Sequence, residues 1–205
     1  MGQLSITAFV SLDGVMQGPG GAEEDRDGGF SLGGWVMPHF SDDDGGFMAQ
    51  TYASADAFLL GRRTYDIFAS HWPRVRDPEH PIGGPLNRLP KYVGSRGEPA
   101  LPWGPAERVG ADLVAEINAL KARYEDLQCH GSASFAQSLL EHDLIDVFRV
   151  LTYPVVLGGG KRLFGAGAGP MGMTLASVQT SSGGVLMATY RRSGPVRQGE
   201  PPSPD

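Results

Sequence analysis

Apolar residues fall along this chain in short dense runs separated by glycine-rich and polar stretches, and the runs alternate between two periodicities. Gln3–Ser11 (QLSITAFVS), Ala57–Leu60, Lys91–Ser95, Leu127–His130 and Ile145–Pro154 are rich in β-branched and aromatic residues and read as strands. Between them lie segments with helical spacing. Asp42, Asp43 and Asp44 stand before Gly45–Tyr52, in which Phe47, Met48, Thr51 and Tyr52 share one helical face. Acidic residues at that start suit an N-cap and complement the helix dipole. Thr64–Ser70 continues a helix that Pro73 must end, because proline lacks the N–H and clashes with the preceding turn. Asp112–Tyr124 places Leu113, Ile117 and Leu120 on one face, and Phe135–Glu141 forms the last helix. Thr174–Thr180 and Val185–Tyr190 pair as a hairpin across Ser181–Gly184.

Strands alternating with helices predict an α/β domain with a mainly parallel central sheet and helices on both faces. The final hairpin adds antiparallel strands at one edge. The expected domain spans residues 1–192. Ser193–Asp205, rich in proline, glycine and charge, is expected to be a disordered tail. Glycine and proline also concentrate in Gly18–Gly34, Asp77–Pro90 and Glu98–Pro105, which read as loops.

Composition narrows the functional classes. A net charge of −6 argues against nucleic acid or an anionic membrane surface as partner, while leaving room for one local basic pocket. No apolar run approaches the length of a membrane span, and no basic segment followed by an apolar one opens the chain, so a cytoplasmic protein is expected. Cys129 is the single cysteine, which excludes an internal disulfide, and no His/Asp/Glu spacing suggests a metal.

The chemistry concentrates at predicted strand ends. Phe58–Tyr65 (FLLGRRTY) runs a strand through Gly61 into a helix that begins Arg62-Arg63-Thr64. Unpaired N–H groups at a helix start favour a phosphate, and guanidinium groups add bidentate recognition. The same residues also read as a βα turn with solvated arginines. Leu12-Asp13-Gly14, Ser95-Arg96 and Gly131-Ser132 occupy equivalent strand ends, where open α/β sheets bind ligands. No G-x-G-x-x-G follows the first strand, so this is not a dinucleotide fingerprint of the Rossmann kind, and Gly158-Gly159-Gly160-Lys161 lacks the spaced GK[ST] of a P-loop.

In this order, Val10-Ser11-Leu12-Asp13-Gly14-Val15, Leu59–Tyr65, Leu89–Val93, Gly131-Ser132, Leu144-Ile145-Asp146 and Tyr153–Phe164 resemble the dihydrofolate-reductase-like superfamily. The closest branch is that of the C-terminal reductase domain of bifunctional riboflavin-pathway deaminase/reductases, and the resemblance covers Leu4–Tyr190. It implies a three-layer fold and an NADPH-dependent reductase acting on a small pyrimidine- or pterin-like heterocycle. It also implies a homodimer with the late strands at its interface. By the same resemblance Gly61, Arg62, Arg63 and Thr64 meet the cofactor phosphates, and Ser95 and Arg96 lie near the 2′-phosphate. Gly131, Ser132, Ala133 and Ser134 wrap the pyrophosphate, and Leu12, Asp13, Gly14, Val15 and Met16 cover the nicotinamide.

A proton source is expected beside the nicotinamide, and Asp42 and Asp44 are the candidate catalytic residues; the alternative is that Asp42, Asp43 and Asp44 are all solvated caps. Trp35, Phe40 and His130 are candidate substrate contacts, or else loop anchors and a satisfied strand-end histidine. Two departures from the riboflavin-pathway pattern stand out. Cys129-His130 replaces the glutamate before the glycine turn, and the downstream acidic and arginine segment for a ribose phosphate has no counterpart. The rival readings are a non-catalytic nucleotide-binding protein on the same fold and a dimeric scaffold.

Overall fold

A strand covered on both faces must bury every side chain, and Ala57–Gly61 does so along its whole length. The computed structural model describes residues 2–165 and 168–200. In chain order its elements are β1 (Gln3–Ser11), α1 (Asp42–Ala53), β2 (Ala57–Gly61), α2 (Arg62–His71), α3 (Gly83–Arg88), β3 (Lys91–Gly94) and β4 (Ala106–Val109). They continue with α4 (Leu113–Arg123), β5 (Asp126–Cys129), α5 (Ala133–Glu141), β6 (Val147–Tyr153), β7 (Gly172–Thr180) and β8 (Leu186–Gly194). One eight-stranded sheet results, in the order β4-β3-β2-β5-β1-β6-β8-β7. All pairings from β4 to β6 are parallel; β8 runs antiparallel to β6 and β7. The expected fold class is the observed one.

Alternation along the strands divides the core. Leu4, Ile6, Leu59, Leu127 and Cys129 face α4 and α5, packing with Ile117, Leu120, Ala136 and Leu139. Phe58, Leu60, Leu151 and Tyr153 face the other layer, packing with Met48, Tyr52, Tyr65 and Leu86 of α1, α2 and α3. On that second face the lower ends of β1, β5 and β6 carry a polar seam instead. Asp126 accepts hydrogen bonds from Ser5 Oγ (3.1 Å), Ser54 Oγ (2.8 Å) and Gln128 Nε2 (2.9 Å), and pairs with Arg149 at 3.3 Å. Thr7, in register with Arg149, carries a buried hydroxyl without a hydrogen-bond partner among the described residues.

Several expectations are corrected. The N-cap of α1 is Ser41, and the three aspartates form the first helical turn rather than preceding it. Glu98–Pro105 does read as loop, but β4 follows it directly as an edge strand that no pattern announced, and α3 forms within a stretch expected to be loop. Lys91 explains part of the latter. Its ammonium, fully buried, donates to the Leu86 and Leu89 carbonyls (2.7 and 2.9 Å) at the end of α3 and lies over the Trp103 ring. Burial brings its pKa down to about 8. Strand β8 continues to Gly194, past the expected domain end; residues 201–205 of the expected tail lie outside the described residues. Among the described residues no helix is long and apolar enough to cross a membrane.

Candidate functional site

The parallel strands β2, β3 and β5 end side by side, with Gly61 opposite Gly94 and Leu59 opposite Cys129. From β2 the chain turns directly into α2, and from β5 it passes through His130-Gly131-Ser132 into α5. The Gly61 N–H donates to the Gly131 carbonyl at 2.7 Å, which clamps the two turns together. A Cβ on Gly61 would meet Ser132 N at 2.6 Å and Phe135 Cβ at 2.9 Å, so only glycine fits there. Gly131 sits at φ +108°, a left-handed conformation that glycine alone adopts cheaply, and a Cβ on it would press on Thr64 Oγ1 at 3.0 Å.

This clamp brings two helix starts to one place. Among the described residues no side chain caps α2 or α5. By contrast, a Ser41/Asp44 capping box closes α1 and the Asp112 carboxylate caps α4. The backbone N–H groups of α2 and α5 are therefore left for another acceptor. Both helix starts border a cleft of about 900 Å³ whose wall includes Arg62, Arg63, Ser95, Arg96, Ser132, Ala133 and Ser134. Gly61, Thr64 and Gly131 form the packed turn behind that wall. Seven of the expected cofactor residues thus line one cavity, although they come from three separate strand ends.

The arginines differ in availability. Arg62 pairs with Asp66 one turn along α2. Arg63 is engaged by the loop after β1: its guanidinium donates to Asp25 at 2.6 Å and to both oxygens of Asp27. Arg96 is in no ion pair among the described residues. Lys161 also lines the cleft and binds the same two aspartates at 2.7 and 2.8 Å. Asp25 and Asp27 sit in the charged run Glu23–Asp27 and Lys161 stands beside Arg162, and nothing in that spacing says which of these charges will meet the cleft. The segment Gly158-Gly159-Gly160-Lys161, which the sequence excludes as a P-loop, helps wall a second cavity of about 460 Å³ that shares Asp27 and Lys161 with the cleft.

The segment expected to cover a nicotinamide serves first to tie loops together. The Asp13 carboxylate accepts from Ser11 Oγ (2.6 Å) and from the N–H groups of Leu157 and Gly158 (3.1 and 3.0 Å). The Ser11 hydroxyl, then those N–H groups, hold its pKa down at about 2. Gly14 takes φ +81° in this turn. Val15 is fully buried, and Leu12 is exposed. None of the four lines either cavity.

The aromatic side of the site lies across α1. Trp35 is buried, donates its indole N–H to the Gln17 carbonyl at 2.8 Å and packs edge-on against Tyr153, so it anchors the long loop. Tyr153 also meets Phe9 edge-on and donates its hydroxyl to Asp44 Oδ1 at 3.2 Å. The other Asp44 oxygen accepts from Ser41 N and Oγ, and the residue is fully buried. Asp42 and Phe40 are exposed, and Asp43 holds the β7–β8 turn through Ser182. His130 stacks on Tyr52, eight residues and roughly 12 Å along the helix from Asp44. The structure therefore does not gather His130 and the aspartates into one cluster.

The His130 ring is neutral. Its Nε2 faces Gln128 Oε1 at 3.2 Å and its Nδ1 faces the Tyr52 hydroxyl at 3.4 Å, which suits an Nε2–H tautomer. Burial foremost, then the Arg149 charge, lowers its pKa to about 3, against a partial offset from Asp126. Between pH 6.5 and 3 the unfolded chain binds a proton at this residue that the folded chain refuses. Stability should therefore fall as pH drops below 6.5, by about 1–2 kcal/mol between pH 6.5 and 5. Urea titrations of the wild type and His130→Asn across that range check this; an equal slope in both would remove the assignment.

A sheet of this order, with a cleft at the carboxyl ends of its parallel strands and an antiparallel hairpin at one edge, defines the dihydrofolate-reductase-like class of α/β domains. The chain belongs to the RibD C-terminal domain family, whose model matches residues 3–187. It is 28% identical over 195 residues to YyaP, an uncharacterized protein of Bacillus subtilis (strain 168), covering 94% of this chain and 96% of YyaP. Among solved structures it is similar to a candidate riboflavin biosynthesis protein from Shewanella sp. PV-4, with TM-score 0.69 and 25% identity over 93% of this chain and 99% of that one. It also shares the fold of dihydrofolate reductase from Enterococcus faecalis complexed with NADP(H), with TM-score 0.56 and 14% identity over 93% and 96% of the two chains.

Proposed function

We propose that this protein is an NADPH-dependent reductase of a small pyrimidine- or pterin-like heterocycle. The observation that carries the reading is the pair of helix starts, α2 and α5, that no side chain caps and that border one cleft beside Arg62, Arg63 and Arg96. Such a wall fits a dinucleotide: backbone N–H groups and the Ser132 and Ser134 hydroxyls for a pyrophosphate, and a guanidinium for a 2′-phosphate. The glycine clamp supports the fit, because it lets the two helix starts approach as closely as they do.

A nicotinamide bound there would supply a hydride to a C=N or C=O bond of the substrate. We assign delivery of the accompanying proton to the carboxyl group of Asp44, which is buried, shares a hydrogen bond with the Tyr153 hydroxyl and would be reprotonated from solvent after each turnover. Trp35 and Phe9 pack edge-on against that tyrosine. Asp42, exposed on the same turn, has no such setting.

Thermal melts with NADPH and with NADH test the cofactor. At about 100 times Kd a ligand adds about 2.7 kcal/mol, which for a chain of this size raises Tm by about 5–10 °C. NADPH should give that rise at micromolar Kd, with NADH far weaker; no response to either would sink the proposal. Once a heterocycle that oxidises NADPH is in hand, Asp44→Asn should lower turnover at least 100-fold while leaving the NADPH-induced Tm rise intact. Unchanged turnover would remove Asp44 from the chemistry.

A further inference from the structure

The strongest charges in the cleft are already paired, and their partners come from the chain itself. Asp25 and Asp27 each touch both cations: Asp25 takes Arg63 Nη1 at 2.6 Å and Lys161 Nζ at 2.7 Å, and Asp27 takes the Arg63 fork and Lys161 Nζ at 2.8 Å. Two carboxylates thus present up to four oxygens to a guanidinium and an ammonium, as the oxygens of a bridging phosphate would. All four residues line the cleft, and Asp27 and Lys161 also border the smaller cavity, so the cluster is the partition between the two spaces.

We propose that Arg63 and Lys161 form one anion subsite and that Asp25 and Asp27 are its built-in competitors, so that a dianionic phosphate enters by displacing both carboxylates and freeing the loop tip that bears them. The inference rests on the nucleotide reading above and adds Lys161 as a ligand-binding residue.

Three features make the exchange feasible. The side chains of the cations are 43% (Arg63) and 32% (Lys161) exposed and that of Asp27 is 51% exposed, so the Asp27 pairs are weak and screened by salt, while Asp25, at 12%, is the more firmly held of the two carboxylates. The carboxylates are ionised throughout the neutral range. The Arg63 and Lys161 hydrogen bonds hold Asp27 well below the usual carboxylate range, and at Asp25 a burial that would raise it is outweighed by Lys161, the Asp27 N–H and the Arg63 charge together. Competition is therefore between anions and does not depend on protonation. The loop base, finally, is held separately. Gln17, buried, donates to the carbonyls of Asp25 and Asp27 (3.2 and 3.0 Å) and accepts from the Lys161 N–H at 3.0 Å. Those bonds tether the backbone at Asp25 and Asp27 to Gln17, so the carboxylates can swing away and the flanking residues of the loop can loosen while the segment keeps its attachment.

The experiment compares wild type, Asp25→Asn/Asp27→Asn and Lys161→Met, with NADPH and inorganic pyrophosphate as probes. Binding isotherms are paired with hydrogen–deuterium exchange of residues 20–29. The double Asn variant should bind NADPH at least fivefold more tightly than wild type, and Lys161→Met at least fivefold more weakly. In the unmodified protein NADPH should speed amide exchange in that segment, a readout that needs no variant to fold. Equal or weaker binding by the Asn variant, or slower loop exchange with NADPH, would overturn the inference, because the carboxylates would then be positioning the cations. If only pyrophosphate shows the expected gain and loop release, the subsite stands and the nucleotide reading falls. If neither probe does, both fall.

Discussion

Gly61→Ala should cripple nucleotide binding and destabilise the domain together. The backbone at Gly61 (φ −63°, ψ 149°) is one that any residue adopts, so the requirement for glycine there is one of space. A methyl group would be driven into Ser132 and against Phe135, where the Gly61–Gly131 hydrogen bond holds β2 against the start of α5. Overpacking of this kind costs about 1–3 kcal/mol, or up to roughly 10 °C in Tm for a chain this long. The displacement falls on the two helix starts, so NADPH affinity should drop by more than tenfold. Gly46→Ala supplies the contrast: this exposed position in α1 has nothing within 4 Å of a new Cβ, and alanine there should stabilise by about 0.5–1 kcal/mol. If Gly61→Ala melted and bound NADPH like wild type, the clamp would not be what brings the helix starts together.

Asp126→Ala should cost about 3–5 kcal/mol, the largest stability loss we expect from one substitution. Asp126 and Arg149 have side chains only 11% and 14% exposed, and the carboxylate also satisfies Ser5, Ser54 and Gln128. Removing it leaves a nearly buried guanidinium without its counter-charge, and an uncompensated buried charge is the expensive case. The pair itself need not stabilise much. Asp126→Leu/Arg149→Met should therefore recover a large part of the loss, since neither charge is then left alone. Urea denaturation of the single and double variants decides between these cases. A single-variant loss below about 1 kcal/mol would mean that water reaches the seam and solvates Arg149.

Much of the scaffold was legible because it obeys local rules. The boundaries of β1 were read to the residue, and those of β2, β3, β5 and α4 to within one residue, since buried parallel strands are dense apolar runs and α4 carries a regular apolar stripe. Strand β4 escaped because Ala106–Val109, at the sheet edge, includes Glu107 and Arg108 and has no face that must be wholly apolar. Helix α3 escaped because Gly83, Gly84 and Pro85 spell a loop locally, while packing and the Lys91 ammonium hold its end.

The site divides along the same line. The glycines, arginines and serines at the strand ends could be read in advance, since a helix start after a strand is a local event with a fixed chemistry. What those side chains touch could not. Tertiary structure alone decided that Arg63 meets aspartates 36 and 38 residues back along the chain, and that Lys161 joins them from beyond β6. It likewise turned Asp13 into a loop tie, closed Asp44 against Tyr153 and stacked His130 on Tyr52, about two turns along α1 from Asp44. By itself the sequence determined every strand but β4, the principal helices and the anion-favouring turns, because those follow from spacing along the backbone. The pairing of charges is settled by distances between loops, and these exist only once the sheet has brought its strand ends together.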